Sequence, residues 1–133
     1  MATIKKFEDI ETWICCRELS KKIFKLSSSG KFSKDYKFSD QINNASGSGM
    51  DHIAEGFDRG GRNEFENFLS IANGSINEVK PQLYRALDRE YISDVEFNEL
   101  YQPADETSNK TGNLIQYLNR TTISGQKFKV RIN

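Results

Sequence analysis

From Arg62 onward, apolar side chains return every three or four positions: Phe65, Phe68, Leu69, Ala72, Ile76, Val79, Leu83, Ala86 and Leu87. That period keeps one face of an α-helix apolar and is incompatible with the two-residue period of a strand. A helix with one long apolar face is unstable alone in water and must bury that face against other elements. The rest of the chain therefore has to supply matching faces.

Three further stretches do so. Phe7, Ile10, Trp13, Ile14, Cys16, Ile23 and Phe24 predict a helix over about 7–26, stopped by Leu26-Ser27-Ser28-Ser29-Gly30. Its acids (Glu8, Asp9, Glu11) come early and its lysines (Lys21, Lys22, Lys25) late, which complements the helix dipole. After the aromatic-rich run Phe32 to Phe38, a weaker stripe of Gln41, Ile42, Ala45, Gly49, Ile53 and Ala54 ends at Glu55-Gly56. Ser46, Gly47 and Gly49 favour a loop by propensity, whereas small side chains at successive turns also suit a closely packed helix. The second reading predicts helix over 40–55. Gly56 to Gly61 reads as a connection, and Pro81 should kink the long helix near Asn77 to Lys80.

The cleanest local signal is Ser93-Asp94-Val95-Glu96, a capping box with Ile92 and Phe97 placed for a hydrophobic staple. A fourth helix follows, with Phe97, Leu100, Tyr101, Ala104, Thr111, Leu114, Ile115 and Leu118 as its buried face and Pro103 bending or splitting its early turns. Four amphipathic helices with short connections predict an all-α fold, an antiparallel up-down four-helix bundle over residues 1–120. Residues 121–133 form a basic/apolar tail. Its run Gln126 to Asn133 alternates at a two-residue period, as an arm on a neighbouring subunit or a disordered tail would.

With 133 residues and 36% apolar content the chain has room for one thin core, which subunit contacts would complete. A homo-oligomer is expected. Nineteen basic and nineteen acidic residues cancel, but residues 1–40 carry nine basic and six acidic while 51–106 carry five basic and thirteen acidic. Such a two-faced charge distribution can steer self-association, whereas the missing net positive charge argues against a dedicated nucleic-acid binder. Met1 to Lys6 runs into charge without a signal-peptide core, and no stretch approaches the roughly 20 apolar residues that span a bilayer. A cytoplasmic protein with no membrane partner is expected, in which the sequons at Asn44, Asn73 and Asn119 have no role and the adjacent Cys15 and Cys16 stay reduced.

The candidate sites are few. His52, the single histidine, lies near Asp51 and Glu55 and reads either as one corner of a metal site or as a capped, solvent-facing residue. The di-metal bundle pattern needs a Glu and a His on each of two helices, so one histidine cannot furnish it. No catalytic constellation, cofactor site or metal site is expected. Glu55, Asp58, Arg59 and Arg62 form a polar patch that either locks a helix turn by internal ion pairs or recognises a carboxylate or phosphate. Lys21, Lys22, Lys25, Lys31, Lys34 and Lys37 make the best basic cluster, open to phosphate or simply to solvent. Tyr36, Tyr84, Tyr91, Tyr101 and Tyr117 become stacking platforms only where exposed.

Several of these segments, in this order and spacing, resemble a known family. They are Phe7-Glu8-Asp9-Ile10 with Trp13; Gln41-Ile42 leading through Ala45 to Ile53-Ala54-Glu55-Gly56; Arg59; Glu64-Phe65 with Phe68-Leu69; and Ile71-Ala72-Asn73-Gly74-Ser75 with Glu78. The likeness is to the four-helix-bundle proteins encoded in intervening sequences of bacterial 23S ribosomal RNA genes, and to accessory proteins of diversity-generating retroelements. It spans roughly residues 7–118. It implies a compact bundle assembled as a homopentameric ring, a role mostly unassigned and, through the retroelement relatives, an association with nucleic acid. The chain departs from the pattern at Asn43 and Asn44, where arginines are usual, at Ser48-Gly49-Met50-Asp51-His52, which lacks a helix-start proline, and at Pro81.

The function expected from all this is a non-enzymatic oligomeric scaffold or protein-interaction module. The alternative is a weak, sequence-nonspecific nucleic-acid-binding accessory protein that uses Lys21, Lys22, Lys25, Arg59 and Arg62.

Overall fold

The computed structural model describes residues 2–120 and 131–132. Four long helices, α1 (Glu11–Ser27), α3 (Tyr36–Asp58), α4 (Arg62–Asp88) and α5 (Asp94–Asn119), form the bundle, and a short α2 (Gly30–Lys34) caps one end. Each long helix packs against two neighbours, in the cyclic order α1, α3, α4, α5. The fold is an all-α, up-down four-helix bundle.

Several element boundaries move. Residues 7–9 form a separate 3-10 turn rather than the start of α1, because the extended backbone at Ile10 breaks the helix there. The break lets Phe7 stack edge-on against Trp13 (5.0 Å between centroids) while Ile10 is buried. α3 starts earlier and ends later than its apolar stripe indicated. Asp35 caps its first turn by accepting from the Phe38 N–H, and Gly56 is helical and pressed onto α4 instead of opening a connection. A methyl group at Gly56 would collide with Phe68 Cβ, and one at Gly49 would lie 3.1 Å from Ile76 Cγ1, so both glycines set the close approach of α3 and α4. Gly47 has no such reason: nothing lies within 4 Å of a Cβ built there.

The core is in two parts. One cluster joins Leu19, Ile23, Phe32, Phe38, Ile42, Val79, Leu83, Phe97 and Leu100; the other joins Ile10, Cys16, Ile53, Phe57, Phe65, Leu69, Ile76 and Leu118. On α5, buried Thr107, Ser108 and Thr111 lie between them. Each hydroxyl is satisfied: Thr107 donates to the Pro103 carbonyl (2.6 Å), Thr111 to the Thr107 carbonyl (2.7 Å) and Ser108 to Asn77 Oδ1 (2.9 Å). Two residues assigned to the core by spacing are not in it: Ile14 and Phe24 are 45% and 64% exposed. The face of α1 is defined instead by Thr12, Cys16, Leu19, Ile23 and Ser27.

α4 continues through Pro81 and α5 through Pro103 without being split. Pro81 and Asn77, whose carbonyl Pro81 leaves without a donor, both lie on the exposed side of α4. Of the C-terminal tail, residues 121–130 lie outside the described residues. Arg131–Ile132 (β2) pairs antiparallel with Ala2–Thr3 (β1) of the same chain, so this part of the alternating run joins the chain's own N-terminal strand.

Candidate functional site

At the end of the bundle where α3 turns into α4, Arg59 donates to Glu55 Oε1 at 3.1 Å and lies 5.3 Å from the Phe68 ring centre. Arg62 reaches Glu66 (4.0 Å), the Leu118 carbonyl (3.5 Å) and Asn63 Oδ1 (3.4 Å). Asp58 is exposed, and Gly60 makes the turn with φ +86°. Both arginines thus hold groups of their own chain, tying the turn to α4 and α5.

Lys21, Lys22 and Lys25 lie toward the other end, so the five cations nominated from sequence do not share one surface. Lys21 pairs with Glu18 at 3.7 Å. Lys22 and Lys25 line a groove of about 430 Å³ between α1 and α5, floored by Leu26 and Leu100 and faced by Glu96 and Glu99. Lys22 and Lys25 thus share their groove with two carboxylates.

His52 Nδ1 lies 2.8 Å from the Ser48 carbonyl and 3.0 Å from Ser48 Oγ, while Ser75 Oγ donates to Ser48 Oγ at 3.0 Å. A carbonyl can only accept, so Nδ1 carries the proton and cannot take one from Ser48. The Ser-His contact is therefore not an activated nucleophile. Among the described residues, no three His, Cys, Asp or Glu side chains are grouped to hold a metal ion. Burial, and secondarily the neighbouring Cys15, pushes the Cys16 thiol up to about 12, which keeps it protonated and unreactive.

A second basic surface forms at the α2 end. Lys31 and Lys34 line an open depression of about 480 Å³ with Asp35 and Tyr91. Asp35 accepts from Tyr91 Oη (2.8 Å) and Arg89 Nη1 (3.0 Å). Arg85 and Arg89 both lie over Phe38, at 4.5 and 5.1 Å from its ring centre, and Lys37 is the residue before that ring. Tyr36 is 76% exposed. Lysines 31, 34 and 37 were legible as a cluster in the sequence, but Arg85 and Arg89 are brought to them only by the antiparallel packing of α4 on α3. No local signal marks them.

The family pattern described as "23S rRNA-intervening sequence protein" matches residues 8–113. The chain belongs to that family. Among solved structures, this family member is similar to a protein of unknown function from the S23 ribosomal protein family of Bacteroides thetaiotaomicron. The TM-score is 0.71 at 20% identity, and the match covers 79% of this chain and 95% of that one. At that identity the likeness speaks for the fold alone. No curated protein matches. The matches carry the ribosomal-RNA side of the resemblance read from the sequence, and not its retroelement side. Asn43, at which the resemblance read from the sequence implied arginine, donates to Ser27 Oγ and the Ser39 carbonyl, both at 2.8 Å, knitting α3 to the end of α1. No helix among the described residues is long and apolar enough to cross a membrane.

Proposed function

We propose that this protein is a non-enzymatic, homo-oligomeric helical scaffold of the cytoplasm, assembled as a ring through the outer face of α4 and α5. The observation that carries the reading is a stripe without charge. Asn63, Asn67, Ser70, Gly74, Asn77 and Pro81 follow one another along the exposed side of α4, in a chain of which 29% is charged. Ile71 and Tyr84, each 51% exposed, flank it. The neighbouring exposed positions of α5 are Gln102, Asn109, Asn113 and Gln116, with Glu106 the one charge among them. Solvated helix faces normally carry Lys and Glu, whereas the centres of protein interfaces are depleted of charge.

Gly74 sharpens this reading. As at Gly47 and Gly112, a Cβ there would meet nothing within 4 Å, so nothing inside the chain requires glycine, which costs about 1 kcal/mol relative to alanine in a helix; what sets Gly74 apart is its place in the middle of the uncharged stripe. Close approach of a neighbouring subunit's backbone supplies the missing reason. The family resemblance implies a subunit number of about five, with a head-to-tail contact that closes by rotation. The ring would present its remaining surfaces to another protein.

Light scattering at micromolar concentration should report about five chain masses. Gly74→Arg should leave the helical circular dichroism intact, because the site is open, and reduce the mass to that of one 15.3 kDa chain. A wild-type protein that stays at 15.3 kDa refutes the ring, and an unaltered oligomer in Gly74→Arg moves the interface to another face.

A further inference from the structure

We propose that Cys15 and Lys110 form a modification site, at which hydrogen peroxide brings about a reversible covalent bond between Cys15 Sγ and Lys110 Nζ and so fastens α1 to α5. The inference is independent of the ring, since every residue it uses belongs to one chain.

The two reacting atoms are already neighbours. Lys110 Nζ lies 3.9 Å from Cys15 Sγ and 2.6 Å from Glu11 Oε1, so one side chain of α5 reaches a thiol and a carboxylate that stand one turn apart on α1. The flexible four-carbon stem of lysine closes the remaining distance without moving either helix. Access is open: the side chains of Lys110 and Glu11 are 39% and 58% exposed, and Cys15 is half-buried. Cys16, the next residue, is 1% exposed and packed in the core, which gives the chain an unreactive thiol for comparison.

Each of the three groups has a part in the chemistry. A cation beside a sulfur favours the thiolate, and the hydrogen bond to Glu11 holds the Lys110 ammonium above the ordinary lysine range. The Cys15 thiolate attacks one oxygen of hydrogen peroxide and the O–O bond breaks. Sulfur is oxidised to the sulfenic acid, and the peroxide is reduced to hydroxide, which water protonates in turn. Lys110 then gives one ammonium proton to Glu11, and the freed electron pair attacks Sγ. The N–S bond forms as the S–O bond breaks, and the leaving hydroxide takes a second proton from nitrogen to depart as water. The product is a sulfenamide, the condensation that sulfenic acids undergo with a neighbouring nitrogen. Thiols reduce it back to the free pair. The link falls on the least extensive of the four seams between long helices and joins residues 95 apart in the chain. A bond that closes so long a loop restricts the unfolded chain and stabilises the folded one.

The test is mass spectrometry of the full-length chain after brief treatment with hydrogen peroxide, with circular dichroism confirming that each variant folds. The wild type should lose about 2 Da, and a tryptic digest made without reductant should contain a peptide that joins α1 to α5 through Cys15 and Lys110. Dithiothreitol should reverse both changes. The linked chain should unfold at a higher urea midpoint than the reduced one. Lys110→Arg keeps the cation and removes the nucleophile, so Cys15 should stop at the sulfenic acid, gain about 16 Da and be trapped by dimedone. Cys15→Ser should abolish the link, and Cys16→Ser should leave it intact. A wild-type Cys15 that resists peroxide or accumulates as free sulfenic or sulfinic acid, a linked peptide in Lys110→Arg, a link through Cys16, or a linked chain with the urea midpoint of the reduced one would each overturn the proposal.

Discussion

Gly56 and Gly47 share a helix yet answer to different constraints. The Cα of Gly56 sits against Phe68 so closely that an added methyl meets Phe68 Cβ, which is fixed to the α4 backbone. Gly56→Ala should therefore destabilise the bundle by about 1–3 kcal/mol, as overpacking does. Gly47 is open, and Gly47→Ala should stabilise by about 1 kcal/mol through helix propensity alone. Urea denaturation of the pair should show shifts of opposite sign, and two shifts of the same sign would mean that α3 and α4 pack otherwise. Asp35 makes a prediction about pH. The Tyr91 hydroxyl, then the Phe38 N–H and Arg89, hold its carboxyl below its ordinary value, and Asp35 in turn raises the Tyr91 phenol. A lowered carboxyl contributes stability that is present above its unfolded value and lost as pH falls through the folded one; a raised phenol contributes stability lost as pH rises through its own folded value. The clamp should thus act between about pH 4 and pH 10. In Tyr91→Phe the Asp35 titration, followed by carboxyl NMR shifts, should move upward and the acid limb of the stability curve should steepen less. An unmoved titration would remove Tyr91 as its cause.

Among the elements, α5 is the one whose start is written most plainly in local chemistry. Ser93 Oγ accepts from the Glu96 N–H (3.1 Å), and Glu96 Oε1 accepts from the Ser93 N–H (2.9 Å), as the spacing Ser-x-x-Glu requires. Ser93→Ala should cost about 1 kcal/mol, measurable as a lower urea midpoint with unchanged slope; a neutral effect would mean that packing of Phe97 alone starts the helix. Just before it, α4 ends with the Tyr91 N–H on the Ala86 carbonyl and the Glu90 N–H on the Leu87 carbonyl, both at 2.9 Å, with Glu90 at φ +59°. That is a Schellman ending without its customary glycine, which is why no Gly signal marks the end of α4. The start of α1 was misread for the opposite reason. Phe7 and Ile10 repeat at helical spacing, but Ile10 folds inward through an extended residue rather than along a helix.

At the scale of the whole molecule, two apolar clusters bridged by satisfied hydroxyls give one bundle, and the unexplained uncharged stripe on α4 is what calls for further copies. If those copies stabilise the chain, its apparent Tm should rise with protein concentration for wild type and become flat in Gly74→Arg. The sequence alone determined the helical class, the pairing of four apolar faces and the cap at Ser93, because these depend on residues within a few turns of one another. It also carried enough of the family's ordered motifs to place the chain in its family. Tertiary structure alone decided that Gly56 is helical, that Phe24 faces water, that Lys22 and Lys25 meet Glu96 and Glu99, and that Arg85 and Arg89 join Lys31, Lys34 and Lys37 at one end. Each of these depends on which way a helix is rotated and which neighbour it meets. Periodicity locates a helix face only to within a residue or so on either side, and partners far apart in the chain leave no mark on local sequence.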